Sequence, residues 1–192
     1  MTTLRPADPA ALHARTALLQ ELYRDCFAGP PWSEPEEQLA DFPAQLLRQT
    51  SHPGARGLLA HDGAALVGAV YGWPAPAALP RQTAFDQAVA DATPPHARAL
   101  LMAPSLVVAE LMVATSHRRR GIAARLLSAY VVDAPAAWLV THRDGGAPTF
   151  YRRCGWQQAA AFTAGGEPML LFTWARHSPP ARAVQQRATQ DG

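Results

Sequence analysis

Apolar positions recur along the chain with two different periods, and each change of period marks an element. Over residues 9–27 they fall at Leu12, Leu18, Leu19, Leu22, Tyr23 and Phe27, the spacing of an amphipathic helix, and Gly29-Pro30-Pro31 stops it. Ser33 followed by Glu36 reads as a capping box that opens a second helix through Leu39, Phe42, Leu46 and Leu47. Residues 3–5 form a short first strand. Residues 56–60 and 65–73 are strands on either side of Asp62-Gly63, a strong hairpin signal. Residues 106–113 make a nearly unbroken apolar run, expected as a strand buried on both faces. Thr115 and Ser116 close it and offer an N-cap for a helix over 119–132. Residues 136–141 are a further strand and 148–154 a helix ended by Gly155. Residues 156–162 and 169–174 form a final hairpin around Gly165-Gly166.

Strands interleaved with helices predict one mixed α/β domain over residues 1–175, built on a single sheet flanked by helices. Residues 74–104 interrupt it with an Ala- and Pro-rich insertion, with short helices at 83–92 and 96–102. An insertion of that length is more often a lid or functional segment than a plain connection. The tail, 176–192, lacks periodicity and is expected to be disordered. No apolar run reaches the ~18 residues of a membrane span, and the start of the chain does not read as a signal peptide, so a cytoplasmic protein without a membrane partner is expected.

Composition removes several functions. Hydrophobic residues make up 48% of the 192 and charged residues 17%, enough for a core and too little charge for a disordered chain. All 17 basic residues are arginine, as GC-rich coding produces, and the net charge is only +2. A global basic field for nucleic acid is therefore missing. Cys26 and Cys154 lie far apart and the histidines have no ligand spacing, so neither a disulfide framework nor a metal site is expected.

The segment richest in chemistry runs from Glu110 to Ala123. A buried strand passes through Arg118-Arg119-Arg120 into a helix that starts with Gly121, Ile122 and Ala123. A helix start exposes unpaired N–H groups and the positive end of its dipole. Gly121 permits close approach of a ligand to the main chain, Ala123 leaves space, and the arginines add charge. These features suit a diphosphate; a solvated basic helix start is the other reading. Glu110 is the single acid in the apolar run. Removal from water raises a carboxyl's pKa and makes it a better base, although a strand-end glutamate can also be structural.

Arg118, Gly121 and Ala123 match the R/Q-x-x-G-x-G/A hallmark of the GNAT superfamily of acyl-CoA-dependent N-acyltransferases, and the chain resembles its bacterial members. Residues 147–156, from Ala147 through Tyr151 and Gly155 to Trp156, resemble the later A-x-x-x-Y-x-x-x-G-F/W motif. Residues 26–32 resemble an F-x-x-P-P-W start. The resemblance implies the GNAT fold, with a mostly antiparallel mixed sheet, and acetyl-CoA as co-substrate without a metal. It assigns Met112, Val113, Arg118, Arg119, Arg120, Gly121, Ile122 and Ala123 to coenzyme A, the diphosphate on the loop and the pantetheine arm along the strand end. The backbone N–H of Met112 is the candidate oxyanion donor. Asp144 stands where the family usually has Asn; an ionised carboxylate accepts hydrogen bonds but does not donate them.

By the same resemblance Tyr151 is the general acid for the departing thiolate, with Glu110 the general base. Trp32, Phe42, Tyr71 and Trp73 are candidates for the acceptor pocket, although an aromatic at any of these places is more often a core residue, and His142 and His117 are minor titrating candidates. The expected activity is transfer of an acetyl group to a primary amine of a small molecule or protein, compatible with a homodimer. The alternative is an acyl-CoA sensor that retains the fold without turnover.

Overall fold

The computed structural model describes residues 1–176. Seven strands form one sheet in the order β1-β2-β3-β4-β5-β7-β6. They are β1 (Thr3–Ala7), β2 (Arg56–Asp62), β3 (Ala65–Pro74), β4 (Ser105–Val113), β5 (Ala136–His142), β6 (Gln157–Ala164) and β7 (Glu167–Ala175). Every pairing is antiparallel except β4 with β5. That parallel pairing is short. Ser105, Leu106 and Val107 face Ala136, Ala137 and Trp138, and there it stops. Beyond it β4 stays on β3 and β5 stays on β7, so the two strands part and leave a V-shaped gap in the middle of the sheet.

Each face of the sheet carries its own helices. On one face α6 (Ile122–Val131) and α7 (Ala147–Arg153) bury Leu126, Leu127, Tyr130 and Tyr151 against Val70, Val108, Leu139 and Phe172. On the other, α1 (Pro9–His13), α2 (Thr16–Phe27), α3 (Glu36–Ala40) and α4 (Phe42–Thr50) pack Leu19, Tyr23, Phe42 and Leu46 on Leu59, Ala69 and Met112. The insertion covers the far end of that second face. Its helix α5 (Ala84–Ala92) and a 3-10 turn at Pro95–Leu100 bury Val89, Ala97 and Leu101 with Trp138 and Leu171. Thr83 and Asp86 close a reciprocal capping box at the start of α5, both bonds 3.0 Å. Ala75 N–H to Ser105 O at 2.9 Å and Ala103 N–H to Pro76 O at 2.9 Å tie the ends of the insertion together. The insertion is thus a folded wall with its own small core.

Some helix ends differ from the sequence reading. The single helix expected over 9–27 breaks near Arg15, and Asp8 caps its first part by accepting from Ala11 N at 2.7 Å. Ser33 caps nothing: it sits in a turn with φ 44°, α3 begins after Pro35, and Glu36 pairs with Arg24. The second helix splits at Asp41, with a proline in the first turn of α4. Thr115 and Ser116 lie in a 3-10 turn, and α6 starts only at Ile122. In each case a local hydrogen bond or a proline ends a turn that apolar spacing alone would continue. The tail expected from 176 lies, beyond Arg176, outside the described residues.

A bulge in β4 sets the side chains at the gap. Tyr71 faces Glu110 and Gly72 faces Val108, which leaves Ala109 as an extra residue. Before the bulge Val107 points to the second face; after it Met112 does, and Ala109 packs on the same side. Glu110 is thereby turned toward α4. The bulge brings the two backbones so close that a Cβ on Gly72 would stand 2.0 Å from Val107 O. Gly72→Ala should therefore cost about 3 kcal/mol in urea unfolding, as overpacking against rigid backbone does. Gly146→Ala, where an added Cβ meets nothing within 4 Å, should cost little. Equal effects of the two would remove this account of the bulge.

Candidate active site

The gap between β4 and β5 opens into a cavity of about 1100 Å³ on the second face of the sheet. Helix-side residues Tyr23, Phe27, Trp32, Glu34 and Gln49 form one wall, and residues 73–86 of the insertion form another. The floor is β4 from Val107 to Leu111 and β5 from Trp138 to Thr141, with Tyr151 reaching the gap from α7. Glu110 and Tyr151 therefore line one cavity although they belong to different cores.

Glu110 sits in a polar network. Its carboxylate accepts from Gln45 Nε2 at 2.9 Å, and Gln49 also bonds it. Gln49 in turn accepts from the Tyr71 hydroxyl at 2.9 Å. Tyr23 donates to Glu34 at 3.0 Å. Burial pushes the Glu110 carboxyl up to about 8, with the charge of Glu34 adding to the rise and the two glutamine amides opposing it. Burial also raises Tyr151, with the Glu110 charge second, so its phenol keeps its proton at neutral pH. The cavity thus pairs a carboxyl that ionises near neutrality with a phenol that does not. Gln45, Gln49 and Glu34 were not in the sequence reading, and Tyr23 figured there only as an apolar helix position. Gln45 and Gln49 stand four residues apart beside the apolar stripe of α4, a signal for a polar pair facing inward.

Of the four residues expected in the acceptor pocket, Trp32 and Trp73 line the cavity. Trp32 packs edge-on against Phe27 at 5.4 Å and against His142 at 5.5 Å, and Trp73 stacks on His52 at 4.0 Å. Phe42 and Tyr71 do not line it. Phe42 is fully buried against Tyr23 at 4.6 Å, because the first turn of α4 points into the core under α2. Tyr71, also buried, reaches only Gln49 and braces the network behind Glu110.

The loop between β4 and α6 is curled and pinned. Thr115 donates to Asp25 from both N–H and hydroxyl, each at 2.7 Å. Arg118 Nε reaches Val113 O at 3.4 Å and Arg120 reaches Ser116 O at 3.1 Å. Arg119 and Gly121 adopt positive φ, 60° and 75°, so the chain turns sharply into the helix. An added Cβ at Gly121 would meet nothing within 4 Å: the space before the helix start is open. Ile122 anchors that start in the core and Ala123 packs partly on it. Unpaired N–H groups, three exposed arginines and open space fit a diphosphate. The unpaired edges of β4 and β5 fit an extended arm laid between them.

Met112 needs a correction as a ligand-facing residue. Met112 O lies 3.0 Å from where a Cβ of Gly68 would stand, and Ala114 N donates to Val67 O at 3.0 Å. Strand alternation therefore turns both the N–H and C=O of Met112 toward β3, and its side chain is buried under α2. Leu111 and Val113 are the residues whose backbone faces the gap. Asp144 is exposed beyond β5 and gives its backbone N–H to His142 Nδ1 at 3.0 Å. His142, 5% exposed, also meets Glu167 at 3.2 Å, so it locks the end of β5. His117 lies 3.6 Å from Asp62 and links the loop to the β2–β3 turn. Among the described residues no cluster of His, Cys, Asp and Glu could hold a metal.

Glu110 makes stability depend on pH in a defined direction. Its carboxyl ionises near 4.5 in the unfolded chain and near 8 in the folded one. Between those values the native state holds the extra proton, so stability falls as pH rises and levels off above about 8. The melting temperature of Glu110→Gln relative to wild type should accordingly climb between pH 5 and pH 8. A pH-independent difference in thermal melts would mean the carboxyl titrates normally.

The chain can then be compared with known proteins. Residues 54–158 match the family model described as the acetyltransferase (GNAT) domain. No curated protein matches the sequence. Among solved structures, an acetyltransferase from Thermus thermophilus is similar at TM-score 0.60 and 16% identity, covering 92% of this chain and 97% of that one. The PaiA N-acetyltransferase of Thermoplasma acidophilum, solved with coenzyme A, is similar at 0.56 and 14%, covering 89% and 98%. An aminoglycoside 6'-acetyltransferase type Ii is similar at 0.62 and 15%, covering 93% and 99%. At such identities the structures speak to the fold, and they share this one. With the family model spanning more than half of the sequence, from the hairpin before β3 to the start of β6, the chain belongs to the GNAT acetyltransferase family.

Proposed function

We propose that this protein is an N-acetyltransferase that moves an acetyl group from acetyl-CoA to a primary amine of a small molecule or protein. The observation that carries the reading is the meeting of Glu110 and Tyr151 at one cavity where β4 and β5 part. The loop 115–121 and the α6 start would hold the diphosphate, and the backbone edges of Leu111 and Val113 the pantetheine arm. Asp144, the one departure from the family motif, is exposed and reserves only its backbone N–H for His142.

An alkylamine has a pKa near ~10.4 and reaches the site protonated. Glu110, in its ionised form, takes that proton directly or through a water. The free amine then attacks the thioester carbonyl, forming the C–N bond as the C–S bond breaks. The N–H of Leu111, facing the gap, is suited to the oxygen that gains charge. Tyr151 gives its proton to the departing sulfur and recovers one from the amine nitrogen or from solvent, which closes the proton balance.

Two measurements test this. Acetyl-CoA should raise the melting temperature, and Gly121→Glu, which sets bulk and negative charge at the helix start, should abolish the rise in a folded protein. Unchanged stabilisation of that variant would overturn the cofactor reading. In pH–rate profiles on a good amine acceptor, wild-type kcat/KM should rise through about pH 8 as Glu110 ionises. Glu110→Gln should lose most at low pH and recover partly as free amine becomes available. Tyr151→Phe should lower kcat by roughly 10²–10⁴-fold with acetyl-CoA affinity nearly constant. Wild-type rates in both variants would remove the catalytic assignments, and acetyl-CoA binding without turnover on any amine would favour the sensor.

A further inference from the structure

The cavity holds more acid than acetyl transfer uses. Glu34, Asp86 and Glu110 line it against one arginine, Arg81, which is already paired with Asp91 at 2.8 Å. Asp86 is engaged in capping α5. Glu34 serves no comparable structural purpose. One of its oxygens accepts from Tyr23, and the other, Oε2, is buried without a hydrogen-bond partner among the described residues. No arginine among them pairs with it. A carboxylate oxygen left in that state is costly unless a ligand charge compensates it. A second orphan lies in the same lining. Trp138, 8% exposed, sits where the β4–β5 pairing ends, and its buried Nε1–H finds no acceptor among the described residues. The two lie apart in the lining, Glu34 on the helix-side wall and Trp138 on the floor. The rest of the lining is mostly apolar and aromatic, with Phe27, Trp32, Trp73, Leu79, Phe85 and Met169, beside a few polar side chains such as Gln49, His52 and Gln82.

We infer that Glu34 is the residue that holds the acceptor's ammonium group, and that the acceptor is a monoamine whose cation is carried on a bulky aromatic or apolar body. The inference rests on reading this cavity as the acceptor site. A cation beside Glu34 gains the attraction of its carboxylate, and the aromatic walls favour a cation over a neutral head. The same cation offsets the repulsion between Glu34 and Glu110, so its arrival helps Glu110 ionise and become the base. The amide product carries no charge at that nitrogen and loses the attraction, which aids release. A polyhydroxylated polycation would have to desolvate many hydroxyls against apolar walls, and a short diamine would leave them unfilled.

The test is calorimetric titration of the full chain with no acyl donor present, comparing 2-phenylethylammonium with 2-phenylethanol, which has the same body and a neutral head. The ammonium should bind roughly 10-fold or more tightly in wild type, and Glu34→Gln should reduce the preference to about 2-fold or less. Glu34→Asp, which keeps the charge on a shorter arm, should retain an intermediate preference and serves if the amide variant does not fold. Putrescine and kanamycin should each bind roughly 10-fold more weakly than 2-phenylethylammonium. No preference for the cation in wild type, or full preference in folded Glu34→Gln, overturns the role of Glu34. Tighter binding of putrescine or kanamycin overturns the acceptor class. Because no acyl group is present, these outcomes stand apart from the transfer reaction: a Glu34-dependent preference without turnover would sink the proposed function alone.

Discussion

The parting of β4 from β5 is the constraint on which the rest of the site depends. A parallel pair in mid-sheet normally continues as far as both strands last, since each unmade rung leaves an N–H and a C=O to be satisfied elsewhere. Here the pairing ends after Val107 and Trp138, while each strand keeps its antiparallel neighbour on the other side. Half of the backbone groups of β4 beyond that point remain bonded to β3, and the other half face open space. Those groups form an edge inside the sheet, protected from other chains by helices on both faces. An edge of that kind suits an extended ligand rather than another strand.

The bulge at Ala109 and the approach at Gly72 convert this backbone arrangement into chemistry. Without the extra residue, Glu110 would alternate onto the face covered by α6, with Val108 and Leu127. With it, Glu110 meets Gln45 and the cavity. A carboxyl there is costly to ionise, and the molecule does not cancel the cost with an arginine. It supplies two glutamine amides, which moderate the rise and leave the carboxyl titrating near neutrality. An arginine in their place would hold the group ionised and make it a poor base. The polar network is therefore tuned short of full compensation, and Tyr71 behind Gln49 fixes the amide that does the tuning.

The succession of strands and helices and the hairpin at Asp62-Gly63 were legible because period and turn chemistry are local properties. Trp32 and Tyr151 stood out through motifs, Glu110 as the single acid of an apolar run and Trp73 by its place on a strand; Trp138 did not stand out, and all five line the cavity. The residues misplaced at the cavity share one cause: a group's direction depends on partners distant in sequence. Phe42 and Tyr71 look like pocket aromatics by position, but α2 and α4 claim them. Met112 looks like a strand-end ligand contact, yet the register with Ala69 turns its backbone the other way. The bulge that redirects Glu110 leaves no mark in β4; its trace is the glycine across from it, Gly72, on another strand. Glu34 gave no signal at all, because it becomes informative only when the chain around Pro30 and Pro31 swings it beside Tyr23.

The insertion supplies a wall of the cavity that is built apart from the loop before α6. The loop before α6 depends on Asp25, Val113 and Gly121, all at one end of β4. The cavity walls draw on α2, α4 and residues 73–86; of these only residues 73–86 are free of the loop, since Asp25, which holds Thr115, lies on α2. Changes in the insertion can therefore reshape the second wall while leaving the helix start intact. The core formed by Val89, Ala97 and Leu101 with Trp138 limits that freedom, since the wall is bolted to the strand whose partner opens the gap. The position of that wall thus follows from how the insertion sits on β5, and Trp138 is the residue where the wall's core, the last parallel rung and the cavity meet.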